Sequence, residues 1–336
     1  MLSQSALRYL TTPGGAANFL SVAHDLHHAL SFVVRVGVLE RLALAPRDLP
    51  RLAQELGLQP APLGVVLDAL SHFGIVRRGP DGYALDEEGR VLLPEASDQA
   101  RHALLLAGQV PLAALALEGV LHSGTSGVEL AYGAPLYRLA GRSPLLHRAL
   151  YDLCESFYSA GGMGPVVASA IAGAGHRRVV DLGGGQGRLI CEVLQRDPTC
   201  QGVVLDLPHA IAAHRARLAL VDRLSIVEGD FFDSVPAADA YVVCNVLFNW
   251  PDERVLALLR NVCAVCEPGA ALYVADLFQD GSFECAFLNL DELLTTGGGC
   301  RTRQAMVELL AQGGFVVQSV EESRAPFQLL VTRRAG

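Results

Sequence analysis

The stretch Val179 to Gly187 reads VVDLGGGQG: an apolar, β-branched run that empties into glycines and is followed by RLICEVLQ, residues 188–195, at helical spacing. A strand, a glycine turn and a helix in that order open a parallel α/β sheet. Glycine permits the sharp bend and the close approach of backbone to a nucleotide-like ligand. The register separates ligand classes. A dinucleotide fingerprint GxGxxG beginning at Gly183 needs glycine at position 188, where this chain has Arg188. The loop instead places Gly183, Gly185 and Gly187 after Asp181.

Downstream the texture persists. GVVLDL (202–207), LSIVEGD (224–230), AYVVCNVL (240–247) and ALYVADLF (271–278) alternate with helical stretches, and FVVQSVEE (315–322) and FQLLVTRR (327–334) close the chain. Continuous apolar strands separated by helices predict a sheet covered on both faces. Asp206, with Leu207 beside it, falls where a carboxylate meets ribose hydroxyls. Asp230 and Phe231 end the next strand, where an adenine amino group and ring face would lie, although Asp230 also suits a turn cap. A DxGxGxG loop followed by these strand ends is the arrangement of S-adenosylmethionine enzymes.

Composition bounds the rest. At 336 residues and 51% apolar, the chain has material for two cores. No stretch supplies the roughly 20 uninterrupted apolar residues of a membrane span, and residues 1–14 lack a basic start before an apolar run. A soluble, unexported, cytoplasmic protein is expected. The net charge of -9 disfavours nucleic acid and anionic membranes. All 26 basic residues are Arg, which excludes lysine Schiff-base chemistry. Eight scattered cysteines read as reduced thiols; Cys263 and Cys266 have metal spacing without a second pair, and His24 with His28 has no third ligand. No metal site is expected.

Toward the N terminus, apolar residues recur at helical spacing through Leu26, Leu30, Val33, Val34 and Val38 and need a large partner surface. Residues 49–93 then read as a winged helix: LPRLAQELGL, a break at QPAP, the helix LGVVLDALSHFGIV, and a hairpin RRGPDGYAL turning at Asp81-Gly82. A winged-helix regulator would be locally basic. This segment sets Arg51, Arg77, Arg78 and Arg90 against Glu55, Asp68, Asp81, Asp86, Glu87 and Glu88, which decides against DNA.

Together DLGGGQG, LDLPH, EGDFF, LFNWPDE, EPGAALYVAD and GGGCRTR resemble the small-molecule O-methyltransferases of bacteria and plants, over nearly the whole chain. The resemblance implies a Rossmann-like class I methyltransferase α/β sheet whose last strand is antiparallel, and a homodimer built on the winged-helix N-terminal domain. It divides the chain into residues 1–98 for dimerisation, a helical connector 99–174 lining the substrate pocket, and a catalytic domain 175–336. It also implies S-adenosylmethionine, with S-adenosylhomocysteine as product, held by Asp181, Gly183, Gly185, Gly187, Asp206, Leu207, Asp230 and Phe231, and by Cys244 and Asn245 at the end of the fourth strand.

The sequence departs from that family at the chemistry. Plant relatives read like ILHDWSDE after the fourth strand, with a histidine base; here Phe248 occupies that position, and a phenyl ring accepts no proton. The acids that orient the histidine align with Asp276 and Cys300. LxNWPD with a later GGxxRTR looks most like the methyltransferases and methyltransferase-like hydroxylases of aromatic polyketide biosynthesis. Two outcomes stay open: O-methylation by positioning, without a base, or a cofactor-bound hydroxylation or pericyclic reaction. Asn249, Asn289 and Asp291 are the candidate polar groups around the acceptor, and Phe157, Tyr158 and Met163 its apolar walls. Asp276 reads as an acid or base or as a strand-end carboxylate, Arg301 or Arg303 as a clamp for an acidic substituent or a solvated side chain, and Cys300 as a pocket thiol or a loop residue.

Overall fold

The computed structural model describes all residues except Met1, Val22, Ser97, Asp98, Gly162, Ala213, Asp280 and 323–326; the side chains of 157, 159–161, 283, 284 and 322 are likewise outside it. The chain forms two compact units, Met1–Pro111 and Leu112–Gly336. That division follows helix Gln99–Ala107, whereas the sequence expectation placed a boundary before it.

In the first unit, helices Ala23–Arg35, Val38–Leu44, Leu49–Leu56 and Pro60–Ser71 enclose Val33, Leu39, Leu52, Leu67 and Leu70 with the antiparallel hairpin β1 (Val76–Gly79) and β2 (Gly82–Leu85). Two local expectations shift. QPAP does not break the chain, because Pro60 starts the helix, where its missing N–H costs no hydrogen bond. The hairpin turns at Pro80-Asp81, since Gly79 pairs with Gly82; Gly82 opens β2 at φ 102°.

The second unit is built on strands β3 (Arg178–Leu182), β4 (Gln201–Asp206), β5 (Leu224–Glu228), β6 (Ala240–Cys244), β7 (Ala271–Leu277), β8 (Phe315–Glu322) and β9 (Phe327–Arg334), in the order β5-β4-β3-β6-β7-β9-β8. From β5 to β7 the pairing is parallel, and β9 enters antiparallel between β7 and β8. The central strands β3, β4, β6 and β7 are buried on both sides. Val180 and Leu182 point into a layer with Leu258, Leu259 and Leu310, while Val179 points into another with Val167, Ile171, Ile190 and Val193.

Chain order reverses about β3: β4 and β5 lie on one side, β6 and β7 on the other. Ligands of open α/β sheets bind at that switch point, outside the carboxyl ends of the strands. Helix Arg188–Arg196 must therefore lie close on the sheet for the glycine turn to be formed. Gly202 allows this: a Cβ there would sit 2.7 Å from Ile190 Cγ1 and 3.1 Å from Leu194 Cδ1. Gly202→Val is expected to lift the helix and cost about 1–3 kcal/mol of stability. Thermal denaturation beside wild type reads this as a lowered Tm; an unchanged Tm would show that the contact is not constraining.

Candidate functional site

The carboxyl ends of β3 to β6 open onto a cavity of about 510 Å³ within the second unit. Its floor is the loop after β3, where Gly183 (φ 73°) and Gly185 (φ 51°) take left-handed conformations. Gly185 N–H donates to Asp206 Oδ2 at 2.7 Å, and Leu207 N–H donates to Oδ1 at 2.7 Å. Each carboxylate oxygen keeps a second acceptor position, so Asp206 can still receive two hydroxyls. Gly187 lies off the cavity wall. It caps the helix at φ 69°, and a Cβ there would meet Leu218.

Two buried polar atoms on the wall have no hydrogen-bond partner: Asp181 Oδ2 and Asn245 Oδ1. Asn245 follows β6 in a left-handed conformation, φ 57°, a strained geometry that turns the loop after β6. Cys244 beside it also lines the cavity; burial pushes its thiol well above the ordinary range. Burial, reinforced by Asp206, pushes the Asp181 carboxyl up to about 7, and burial pushes Asp206 up to about 6. An uncompensated buried acceptor is costly, so a site with two of them fits a donor supplied from outside the chain.

Asp230 and Phe231 both face the cavity. Asp230 Oδ1 accepts from Phe232 N–H at 2.9 Å, so it caps its turn and lines the wall at once. Asn261 Nδ2 donates to the Phe231 and Phe232 carbonyls at 3.0 and 2.7 Å, which fixes that loop. Phe231, Phe232 and Trp250 pack edge to face, and Trp250 stacks on Tyr137 with ring centroids 5.8 Å apart.

On the acceptor side, the structure brings only some of the expected residues together. Asn249 and Tyr158 line the cavity. Tyr158 donates to Glu192 at 3.1 Å beneath Arg188. Met163 is buried in the layer against the sheet, and Asn289 accepts from Cys300 N–H at 2.6 Å, away from the wall. Asp291 is also off the wall, and the Phe157 side chain lies outside the described residues. Phe248 is buried at 5% exposure in an apolar layer that includes Cys300. Asp276 accepts from Phe248 N–H at 3.0 Å and Leu277 N–H at 3.1 Å, and burial pushes it up to about 7. Arg301 donates to Asp252, the Leu247 carbonyl and the Trp250 carbonyl, which ties down the loop after β6 and leaves the guanidinium no reach into the cavity.

Sequence reasoning passed over Tyr137, Tyr151, Cys154, Glu155, Arg188, Trp250 and Thr296, all on the wall. A signal existed for part of this set. Tyr151, Cys154, Glu155 and Tyr158 recur at helical spacing in Pro144–Gly161 and so share one face.

Comparison with known proteins decides the family. The model of the O-methyltransferase domain matches residues 116–316. The chain belongs to the O-methyltransferase family. Across 91% of its length this O-methyltransferase family member is 31% identical to the mitomycin biosynthesis 6-O-methyltransferase of Streptomyces lavendulae, 90% of which is covered. It is 29% identical to aclacinomycin 10-hydroxylase RdmB of Streptomyces purpurascens over 316 residues, 88% of this chain and 82% of that enzyme.

 Among solved structures, the O-methyltransferase NcsB1 from neocarzinostatin biosynthesis, in complex with S-adenosylmethionine and 2-hydroxy-5-methyl naphthoic acid, superposes with a TM-score of 0.79 at 25% identity, covering 91% of this chain and 96% of that one.

The raised carboxyls make stability depend on pH. An acid whose folded pKa lies above its unfolded value of about 4 keeps protons that the unfolded chain has released, so folding weakens as pH rises from about 4 to the folded value. For Asp181, Asp206 and Asp276 that window ends near pH 7. The ligand-free protein is expected to melt at a higher temperature at pH 5.5 than at pH 8. Asp181→Asn should flatten the slope and stabilise the protein at pH 8 by roughly 1–3 kcal/mol. A Tm that rises from pH 5.5 to pH 8 would contradict this.

Proposed function

We propose that this O-methyltransferase family member moves the methyl group of S-adenosylmethionine to a small secondary-metabolite acceptor, by positioning rather than through a histidine base. The observation that carries the reading is the unpartnered pair Asp181 Oδ2 and Asn245 Oδ1 on the wall that also holds Asp206. These residues fit the cofactor. Asp181 and Asn245 would accept from its ammonium group, Asp206 from the ribose hydroxyls, and Asp230 with Phe231 would hold the adenine. When bound, the cofactor supplies an electrophilic methyl on a sulfonium.

The chain's own residues then orient and exclude water. Tyr137 and Trp250 wall the cavity with aromatic surface, and Tyr151, Tyr158 and Asn249 offer polar contacts to the acceptor. Asp276 has both oxygens engaged by backbone N–H groups, and Phe248 has no lone pair to offer. The acceptor proton therefore leaves before methyl transfer, to solvent, and the best acceptors are acidic phenols, enols, carboxylates or thiols. Good orientation alone can supply about 7–11 kcal/mol of barrier reduction.

A second reading keeps the cofactor but not the transfer. Phe248 at the base position and the likeness to an aclacinomycin hydroxylase favour it. We also propose a homodimer formed by the first unit, where Leu7, Leu20 and Phe32 leave apolar surface exposed. The helices of 112–161 that carry Tyr137, Tyr151 and Tyr158 are the proposed acceptor wall. No helix among the described residues is long and apolar enough to cross a membrane.

Calorimetry with S-adenosylhomocysteine, S-adenosylmethionine and NAD tests the cofactor. Binding of the first two is expected, with Asp206→Asn weakening it about 10- to 100-fold; binding of NAD alone would sink the assignment. For the chemistry, a series of phenols of graded acidity at saturation should give rates that follow each phenol's own ionisation. A common inflection independent of the phenol would reveal a base on the protein. Turnover without S-adenosylhomocysteine release would move the chain to the second reading.

A further inference from the structure

Glu292 belongs to helix Phe283–Thr295 and is 7% exposed. It adjoins the cavity through Thr296, a wall residue whose hydroxyl donates to Glu292 Oε2 at 2.6 Å. That hydroxyl is held in place by Gly298 N–H, which donates to it at 3.2 Å. The charged and titratable groups acting on Glu292 or feeling its charge are Asp291 on its own helix, Asp276 at the end of β7, Cys300, and two wall residues, Tyr137 and Cys154. None of these is a cation. Burial first, then Asp291 and Asp276, push the carboxyl up to about 8 against the opposing Thr296 bond. A buried acid whose carboxyl has one hydrogen bond and no counter-charge among the described residues adds cost to the fold unless a ligand completes it.

We propose that Glu292 sets specificity on the acceptor side of the cavity, selecting aromatic acceptors that carry a protonated amine. This rests on the methyl-transfer reading of the same cavity. An ammonium group supplies the missing counter-charge through a charge-assisted hydrogen bond, which is stronger than a neutral one. The stacked Tyr137 and Trp250 rings offer a π-face to the same cation. Pairing converts the carboxyl to carboxylate, so at neutral pH up to one proton passes from Glu292 to the buffer for each amine bound.

The test uses the full chain loaded with S-adenosylhomocysteine at pH 7, titrated with tyramine and with 4-propylphenol, which keeps the phenol and replaces the ammonium by a methyl. Tyramine is expected to bind about tenfold more tightly, with proton release read from buffers of different ionisation enthalpy. Glu292→Gln should bring the two ligands within about twofold, abolish the proton release and leave S-adenosylhomocysteine affinity unchanged. Glu292→Met, which removes the polar group, should reverse the preference. Equal affinities in the wild type, or a tyramine preference that survives in Glu292→Gln, would overturn the proposal. Failure to bind S-adenosylhomocysteine at all is a separate result, which removes the methyl-transfer reading instead.

Discussion

The hydrogen bond from Gly185 N–H to Asp206 Oδ2, 2.7 Å long, joins the loop after β3 to the end of β4, and the cavity takes its shape from that link. It needs a glycine turn at φ 51° on one side and a strand-end carboxylate on the other. The parallel register Leu182 to Leu205 brings the two together. On the far side of β3 no such link occurs among the described residues. β6 instead turns away at Asn245, φ 57°, and leaves the Asn245 side-chain oxygen unpartnered. The switch point is thus tied on one flank and open in hydrogen bonding on the other.

Burial of acids is the cost of this arrangement. Asp181, Asp206, Asp276 and Glu292 lie close enough to perturb one another in part, and desolvation is the largest effect on each. They resolve the cost differently. Asp206 and Asp276 are stabilised by backbone N–H groups, which favours the carboxylate. Asp181 feels the Ile190 backbone N–H but keeps Oδ2 without a partner, and Glu292 accepts from a hydroxyl. A fold that needed only stability would place apolar residues at the last two positions. Asp181 on the cavity wall and Glu292 behind the wall residue Thr296 are what a ligand with positive groups would require.

What the sequence revealed was local in chain distance. The strand runs, the glycine register and the strand-end carboxylates each depend on a few neighbouring residues, and the structure gathers Asp181, Gly183, Gly185, Asp206, Asp230 and Phe231 around one cavity. Arg301 was illegible because its partners Leu247, Trp250 and Asp252 lie 49–54 residues earlier. Arginine near a cavity reads as a ligand clamp until its donors are counted. Met163 and Asn289 failed similarly, since apolar or amide character says nothing about which side of a helix faces the sheet. Tyr151 and Cys154 were readable as a face of Pro144–Gly161, but nothing local showed that the face looked inward.

Phe248 and Asp276 are joined by a structural contact. In the plant-type pattern an acid at the end of this strand orients a histidine; here the acid receives the backbone N–H of Phe248 itself, while the phenyl ring joins the apolar layer with Cys300. The carboxyl thereby pins the loop after β6 to β7. Arg301 pins the same loop from outside, through the Leu247 and Trp250 carbonyls, and Gly299 N–H donates to the Phe248 carbonyl at 2.7 Å. Three anchors on so short a segment fix Asn249 and Trp250 at the wall. The segment is thus held rigidly, and rigidity is what the proposed positioning mechanism demands.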